Sequence, residues 1–191
     1  MLKRYIPMSG RQPGGNASSF DYQAAMSWDT VARIKDKYSI PLIVKGVMDA
    51  SDAARCVEAG VDVVYVSNHG GRQLDHTKAC IDALPDVVGA VDGRVPVVVD
   101  GGFLRGADVV KALCLGATAV GMGRFEGFAM AAGGPAALVQ ALKILEQEVQ
   151  ITMALLGVRT LEELTSDLVE RAEIMAPAHV TSAFPFLEEG Y

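Results

Sequence analysis

The chain has 191 residues, 17 basic and 23 acidic side chains and a formal net charge of −6. No basic run stands out, which argues against nucleic acid as a partner. Half of the residues are apolar, enough for a sizeable core in one domain or slightly more.

Residues 1–26 are rich in Gly, Ser, Pro and Gln and read as a flexible N-terminal segment. The first residues lack the long apolar core of a secretory signal. No apolar run approaches the roughly 18 residues of a membrane span. The expectation is therefore no transmembrane segment and a cytoplasmic protein. Ser27 reads as the cap of a helix from Trp28 to Tyr38, with Trp28, Val31, Ala32 and Ile34 as its apolar face.

Four short apolar runs follow: Pro41–Val44, Val61–Val66, Val95–Val99 and Ala117–Met122. They are rich in β-branched residues and continuous, the pattern of strands covered on both faces. Helical patterns lie between them, near Ser51–Ala59, Thr77–Val88 and Ala107–Leu115. This alternation argues for a parallel sheet. An internal repeat supports it. Leu42-Ile43-Val44-Lys45-Gly46, then Asp52 and Gly60, parallels Val97-Val98-Val99-Asp100-Gly101, then Asp108 and Gly116. The spacing is two strand–helix units, as a (β/α)8 barrel would give, with a doubly wound open sheet as the alternative.

A helical stretch from Phe125 to Ala132 is interrupted at Gly133-Gly134-Pro135, and a long helix should run on to Leu156 before Gly157. Thr160-Leu161-Glu162-Glu163 reads as a capping box for a last short helix. The domain expectation is a flexible segment over 1–26, a half-barrel domain over 27–175 and an irregular tail over 176–191. Cys56, Cys80 and Cys114 lack metal-type spacing and read as buried free thiols in a reducing compartment. No metal site is expected. Asp75 and His76 read as surface or cap residues, and His179 has no evident partner.

Each strand ends in polar or glycine residues: Lys45-Gly46, Ser67-Asn68-His69, Asp100-Gly101-Gly102 and Gly121-Met122-Gly123-Arg124. Barrel enzymes place their sites at these C-terminal ends. Lys45, Ser67, His69, Arg72, Asp100, Gly102 and Arg124 would then face one opening. Histidine can take a proton near neutral pH, and arginine can grip a carboxylate through two parallel hydrogen bonds. The last two glycine turns suit a phosphate, with a helix N-terminus and Arg124 to offset its charge.

Taken in order and spacing, Leu42-Ile43-Val44-Lys45-Gly46, Ser67-Asn68-His69-Gly70-Gly71-Arg72-Gln73-Leu74-Asp75, Asp100-Gly101-Gly102 and Gly123-Arg124 resemble the FMN-dependent α-hydroxy-acid oxidases and dehydrogenases. That family includes glycolate oxidase, lactate oxidase and (S)-mandelate dehydrogenase. The resemblance spans about residues 27–170 and implies the C-terminal half of a (β/α)8 TIM barrel, of about four parallel strand–helix units, plus C-terminal helices. It implies FMN as cofactor and oxidation of a small 2-hydroxy acid to the 2-oxo acid. His69 would be the base that takes the substrate proton, and Arg72 would grip the substrate carboxylate. Lys45 would stabilise the reduced flavin and Ser67 would contact its ring system. Asp100 would bind the ribityl chain, and Gly101, Gly102, Gly123 and Arg124 would hold the phosphate.

Two departures stand out. Leu104 occupies a position where the family often has a phosphate-binding arginine, and Arg105 is the nearest substitute. The family's N-terminal half, with its first four strands and the aspartate that orients the histidine, has no counterpart here. A full barrel takes about 250 residues, so the expectation is an incomplete portion of the enzyme that forms a homo-oligomer or pairs with an N-terminal half. An inactive fragment or interaction module, and a different phosphate-binding barrel, are the alternatives.

Overall fold

The computed structural model describes residues 26–74 and 76–172. The expected N-terminal segment over residues 1–25, Asp75, and the tail with His179 lie outside the described residues. The chain divides into two compact units, Met1–Gly101 and Gly102–Tyr191.

In the first unit, helix α1 (Trp28–Lys37) leads into strand β1 (Ile43–Val47), helix α2 (Ala50–Glu58) and strand β2 (Val63–Val66). A 3-10 turn (His69–Gly71), helix α3 (Cys80–Val91) and strand β3 (Val97–Asp100) follow. Strands β1, β2 and β3 pair side by side and in parallel. Each is joined to the next by a helix, as a parallel crossover requires. The register sets Lys45 opposite Tyr65 and Tyr65 opposite Val98, so the three strands end level with one another.

Helix α1 follows Ser27, whose backbone N–H donates to Thr30 Oγ1 at 3.3 Å. Its expected apolar face is only partly covered, and none of its residues is buried. Polar contacts hold it instead. Lys35 Nζ lies 2.8 Å from Asp62 Oδ2, which also accepts the Leu42 N–H at 2.7 Å. The Arg55 guanidinium stacks 4.6 Å from the Trp28 ring centre.

The core lies on one side of the sheet. Val64, Val66, Val97 and Val99 point toward α2 and α3 and are buried with Ala53, Cys56, Ala83, Leu84, Val87 and Val91. On the opposite side, Val63, Tyr65 and Val98 are only half-buried. The expectation of strands covered on both faces is thus corrected for this unit. Helices α2 and α3 are supplied by the crossovers and can cover only the side they pack on. Helix α3 also begins at Cys80 rather than Thr77, because Ala79 is extended and His76 has a φ of +61°.

The second unit holds helix α4 (Gly106–Cys114), strand β4 (Ala119–Gly121) and helix α5 (Gly123–Leu156). Two 3-10 turns, Leu161–Glu163 and Ser166–Leu168, replace the expected last short helix. Thr165 is extended between them, so the chain cannot close a longer α-helix there. Helix α5 bends at Gly133 and Gly134, where the φ,ψ pair of Gly134 is +64°, −153°. That is the interruption its glycines and proline predict. By length and composition α5 could cross a membrane, which the reading of apolar runs did not anticipate. Its Glu148 is ion-paired with Arg105, beside the start of α4.

Val110 and Cys114 of α4 pack against Met153 of α5 and Leu164 beyond it. Gly106 permits this approach. A Cβ there would sit 2.4 Å from the Val149 backbone nitrogen and 2.5 Å from Glu148. Glu148 accepts the Gly106 N–H at 2.7 Å and hydrogen bonds from Arg105 Nε at 2.9 and 3.1 Å. The Arg105 hydrogen bonds chiefly, helped by the Gly106 N–H, hold the Glu148 carboxyl below its ordinary value of 4.5.

Two outcomes follow from this contact. Gly106→Ala should destabilise the second unit by about 1–3 kcal/mol, since the helices must move apart. Urea unfolding should show it. A depressed carboxyl adds stability above its unfolded pKa and loses it as pH falls through the lower folded value. Glu148→Gln should therefore lower the melting temperature at pH 7, and the gap to the parent should close as the pH falls below about 4.

Candidate active site

The aligned strand ends of the first unit gather three polar side chains. Lys45 Nζ donates to Ser67 Oγ at 2.6 Å and lies 2.8 Å from Asp100 Oδ2. It also stands 4.8 Å from the centre of the Tyr65 ring. Ser67 is 1% exposed, and its Oγ accepts the His69 backbone N–H at 3.1 Å. A buried hydroxyl must find partners, and here those partners tie the end of β1 to the loop after β2. Asp100 Oδ1 is buried and, among the described residues, has no hydrogen-bond partner.

The loop after β2 is a tight turn. Asn68 Oδ1 accepts the Gly71 N–H at 3.1 Å, and the Asn68 backbone N–H reaches Cys80 Sγ at 3.1 Å. His69, Gly70 and Gly71 have φ values of +57°, +74° and +73°. For His69, a residue with a Cβ, that conformation costs of order 1–3 kcal/mol, and the hydrogen bonds at Asn68 and Ser67 hold it there. The His69 ring rests against β1 at Gly46, where a Cβ would come within 3.0 Å of its Cε1. Arg72 ends the turn with an exposed side chain and a long 3.5 Å contact from Nε to the His69 carbonyl.

Gly101 closes β3 at a φ of +104°. In the second unit, Gly102 has a φ of +90° and open space where a side chain would stand. Gly123 begins α5, and Arg124 is exposed in its first turn. Helix N-termini offer free N–H groups and a favourable field to anions. Arg105, the expected substitute for a phosphate-binding arginine, is engaged with Glu148 through an Nη2–Oε1 contact of 2.8 Å. Leu104 is half-buried.

The structure thus brings Lys45, Ser67, His69 and Asp100 into one cluster and sets Arg72 on the same turn as His69. Sequence reasoning did not assign roles to Gly46, Asn68 and Cys80. The first two had a visible signal, an unexplained glycine after Lys45 and a turn-forming asparagine after a strand. The third had none, because Asn68 and Cys80, 12 positions apart, come together only in the fold.

The family model described as FMN-dependent dehydrogenase matches residues 7–171. The chain belongs to this family. Its relatives include an L-lactate oxidase of Nostoc sp., 40% identical over 81% of this chain and 44% of that protein. A peroxisomal (S)-2-hydroxyacid oxidase of Arabidopsis thaliana is 45% identical over 80% of this chain and 42% of its own length. A crystal structure of mandelate oxidase with (S)-2-phenylpropionate superposes with a TM-score of 0.70 at 41% identity, covering 72% of this chain and 41% of that one. The chain therefore spans less than half the length of the relatives it matches. The fold class stands as expected: α/β, with the strand–helix units of part of a TIM barrel. FMN is the cofactor of the family.

The residues present fit such a group. The unsatisfied Asp100 Oδ1 can accept from a ribityl hydroxyl. The half-exposed Lys45 ammonium offers positive charge beside it.

Replacing Ser67 tests how far this cluster is built in. Ser67→Ala removes an acceptor shared by Lys45 and the His69 N–H and should cost about 1–3 kcal/mol. The midpoint of urea unfolding, followed by circular dichroism, should fall accordingly.

Proposed function

We propose that residues 27–175 supply the flavin- and acid-binding portion of an FMN-dependent enzyme that oxidises a small 2-hydroxy acid to the 2-oxo acid. The observation that carries this reading is the Lys45–Ser67–Asp100 cluster beside a turn bearing His69 and Arg72. A base, an anion clamp and a fixed cation on adjoining strand ends suit removal of a proton from a carboxylate-bearing substrate.

In this reading the exposed Arg72 guanidinium binds the substrate carboxylate with two hydrogen bonds. His69, held in its turn, takes a substrate proton on an imidazole nitrogen. Bound FMN would supply the two-electron oxidant, taking up the electron pair together with the second of the two hydrogens that the substrate loses. Asp100 accepts a hydrogen bond from the ribityl chain, while Ser67 and Lys45 stand at the flavin ring. In the second unit, Gly102, Gly123 and Arg124 suit a phosphate. The Arg105–Glu148 pair supports Arg105 as a brace for the N-terminus of α4 more than as a phosphate ligand.

The share of the relatives that the chain covers supports activity only with a second half. Strand β1 is bonded to β2 alone among the described strands of its unit, and Ile43 on it is 54% exposed. Exposed strand edges invite pairing. Self-association, or docking of an N-terminal half, is the partnership proposed. The cytoplasm is the compartment proposed, supported by three buried free thiols.

Titrating the purified chain with FMN should quench flavin fluorescence and shift its visible absorption. An unchanged spectrum at high protein concentration would refute flavin binding by this chain. Turnover of lactate, glycolate and mandelate should be near zero alone and appear when an N-terminal half is added. In that pair, Arg72→Lys should raise KM at least about tenfold, as the bidentate fork is lost. An unchanged KM and kcat would refute Arg72 as the clamp on the substrate carboxylate. Light scattering should find more than one copy per particle, and a monodisperse monomer would count against self-association.

A further inference from the structure

A chain that turns sharply after a buried strand must find an acceptor for each backbone N–H it takes out of the ladder. At Asn68 that acceptor is sulfur, Cys80 Sγ, at 3.1 Å. Cys80 is the first residue of α3 and is buried. The same sulfur lies 3.0 Å from where a Cβ on Gly101 would stand. One atom thereby fills the space between the β2 exit and the β3 exit. Across the turn, the His69 ring presses on Gly46, whose φ of +106° and lack of a Cβ leave room for Cε1. The β1–β2 register shifts at this glycine, between Lys45 and Val47, which lets the backbone bulge where the ring sits.

We propose that Cys80 and Gly46 are the positioning residues of His69: the thiol anchors the amide that opens the turn, and the glycine forms the seat on which the imidazole rests. Burial pushes the Cys80 thiol up from its ordinary value, so it stays neutral and acts as an acceptor and spacer, not a nucleophile. The cluster of Lys45 and Ser67 fixes the turn from the His69 N–H, and Cys80 fixes it one residue earlier. Two adjacent amides are thereby held by two different elements, and the ring that the turn carries rests on Gly46.

The functional weight of this inference rests on the reading of His69 as the base, but its test needs neither flavin nor substrate. In the isotopically labelled full chain, amide exchange at Asn68 and the Cε1–H resonance of His69 are followed by NMR. Cys80→Ala should speed Asn68 exchange roughly five- to tenfold, through loss of one acceptor. Cys80→Ser, which keeps an acceptor, should recover most of that protection. The amides of Val64 and Val99 should change less than twofold in both variants. Gly46→Ala should displace the His69 Cε1–H resonance and broaden it. Should Gly46→Ala fail to fold, the two Cys80 variants decide. Unchanged Asn68 exchange in Cys80→Ala, or equal acceleration at Val64 and Val99, would overturn the proposal and leave Cys80 a packing residue. If the turn loosens as expected and FMN still fails to bind the parent chain, the flavin reading alone falls.

Discussion

The first unit turns on one ammonium group. Lys45 reaches from β1 to the Ser67 hydroxyl just past β2 and the Asp100 carboxylate at the end of β3, and so spans all three strand ends. It can do so because parallel pairing with a fixed register stops the strands at one level. In an antiparallel sheet the neighbouring strand would present its opposite end. The crossover helices then return the chain to the far end each time, so every successive strand delivers its last residue to the same place. A partly exposed ion pair adds little to stability by itself. Its value here is geometric, since it brings a cation, a hydroxyl and a carboxylate together at the strand ends.

That arrangement leaves visible costs. Among the described residues Asp100 Oδ1 is buried without a hydrogen-bond partner, and His69 sits at a positive φ. Both are unfavourable in a chain optimised for stability alone. Both are intelligible in a member of the FMN-dependent dehydrogenase family, where a polyhydroxyl chain could satisfy the carboxylate and a fixed imidazole could serve proton transfer. Folding supplies the compensation. Ser67, Asn68 and Cys80 each satisfy one backbone amide of the turn or its entry, and the buried valines of β2 and β3 anchor the strands behind it.

In the second unit the decisive constraint is closeness. Gly106 lets the N-terminus of α4 meet the backbone of α5, and Glu148 fills the contact with charge-assisted hydrogen bonds to Arg105 and the Gly106 amide. A carboxylate at a helix N-terminus also meets a favourable field. This explains why an arginine beside a glycine turn is occupied. The nearby carboxylate engages the guanidinium that its position in the sequence pointed toward a phosphate.

Much was legible in the residues themselves. Continuous β-branched runs, intervening helical patterns and the repeat from Lys45-Gly46 to Asp100-Gly101 fixed the parallel α/β class, because these patterns reflect local backbone preferences and burial. The order of strand-end residues also fixed the candidate cluster, since parallel topology sends every such end the same way. The tertiary structure alone decided which side of the sheet is covered, that Arg105 belongs to Glu148, and that Cys80 and Gly46 frame the turn of His69. Those facts depend on distances between residues far apart in the chain. Local propensity carries no record of such distances until helices and strands have packed.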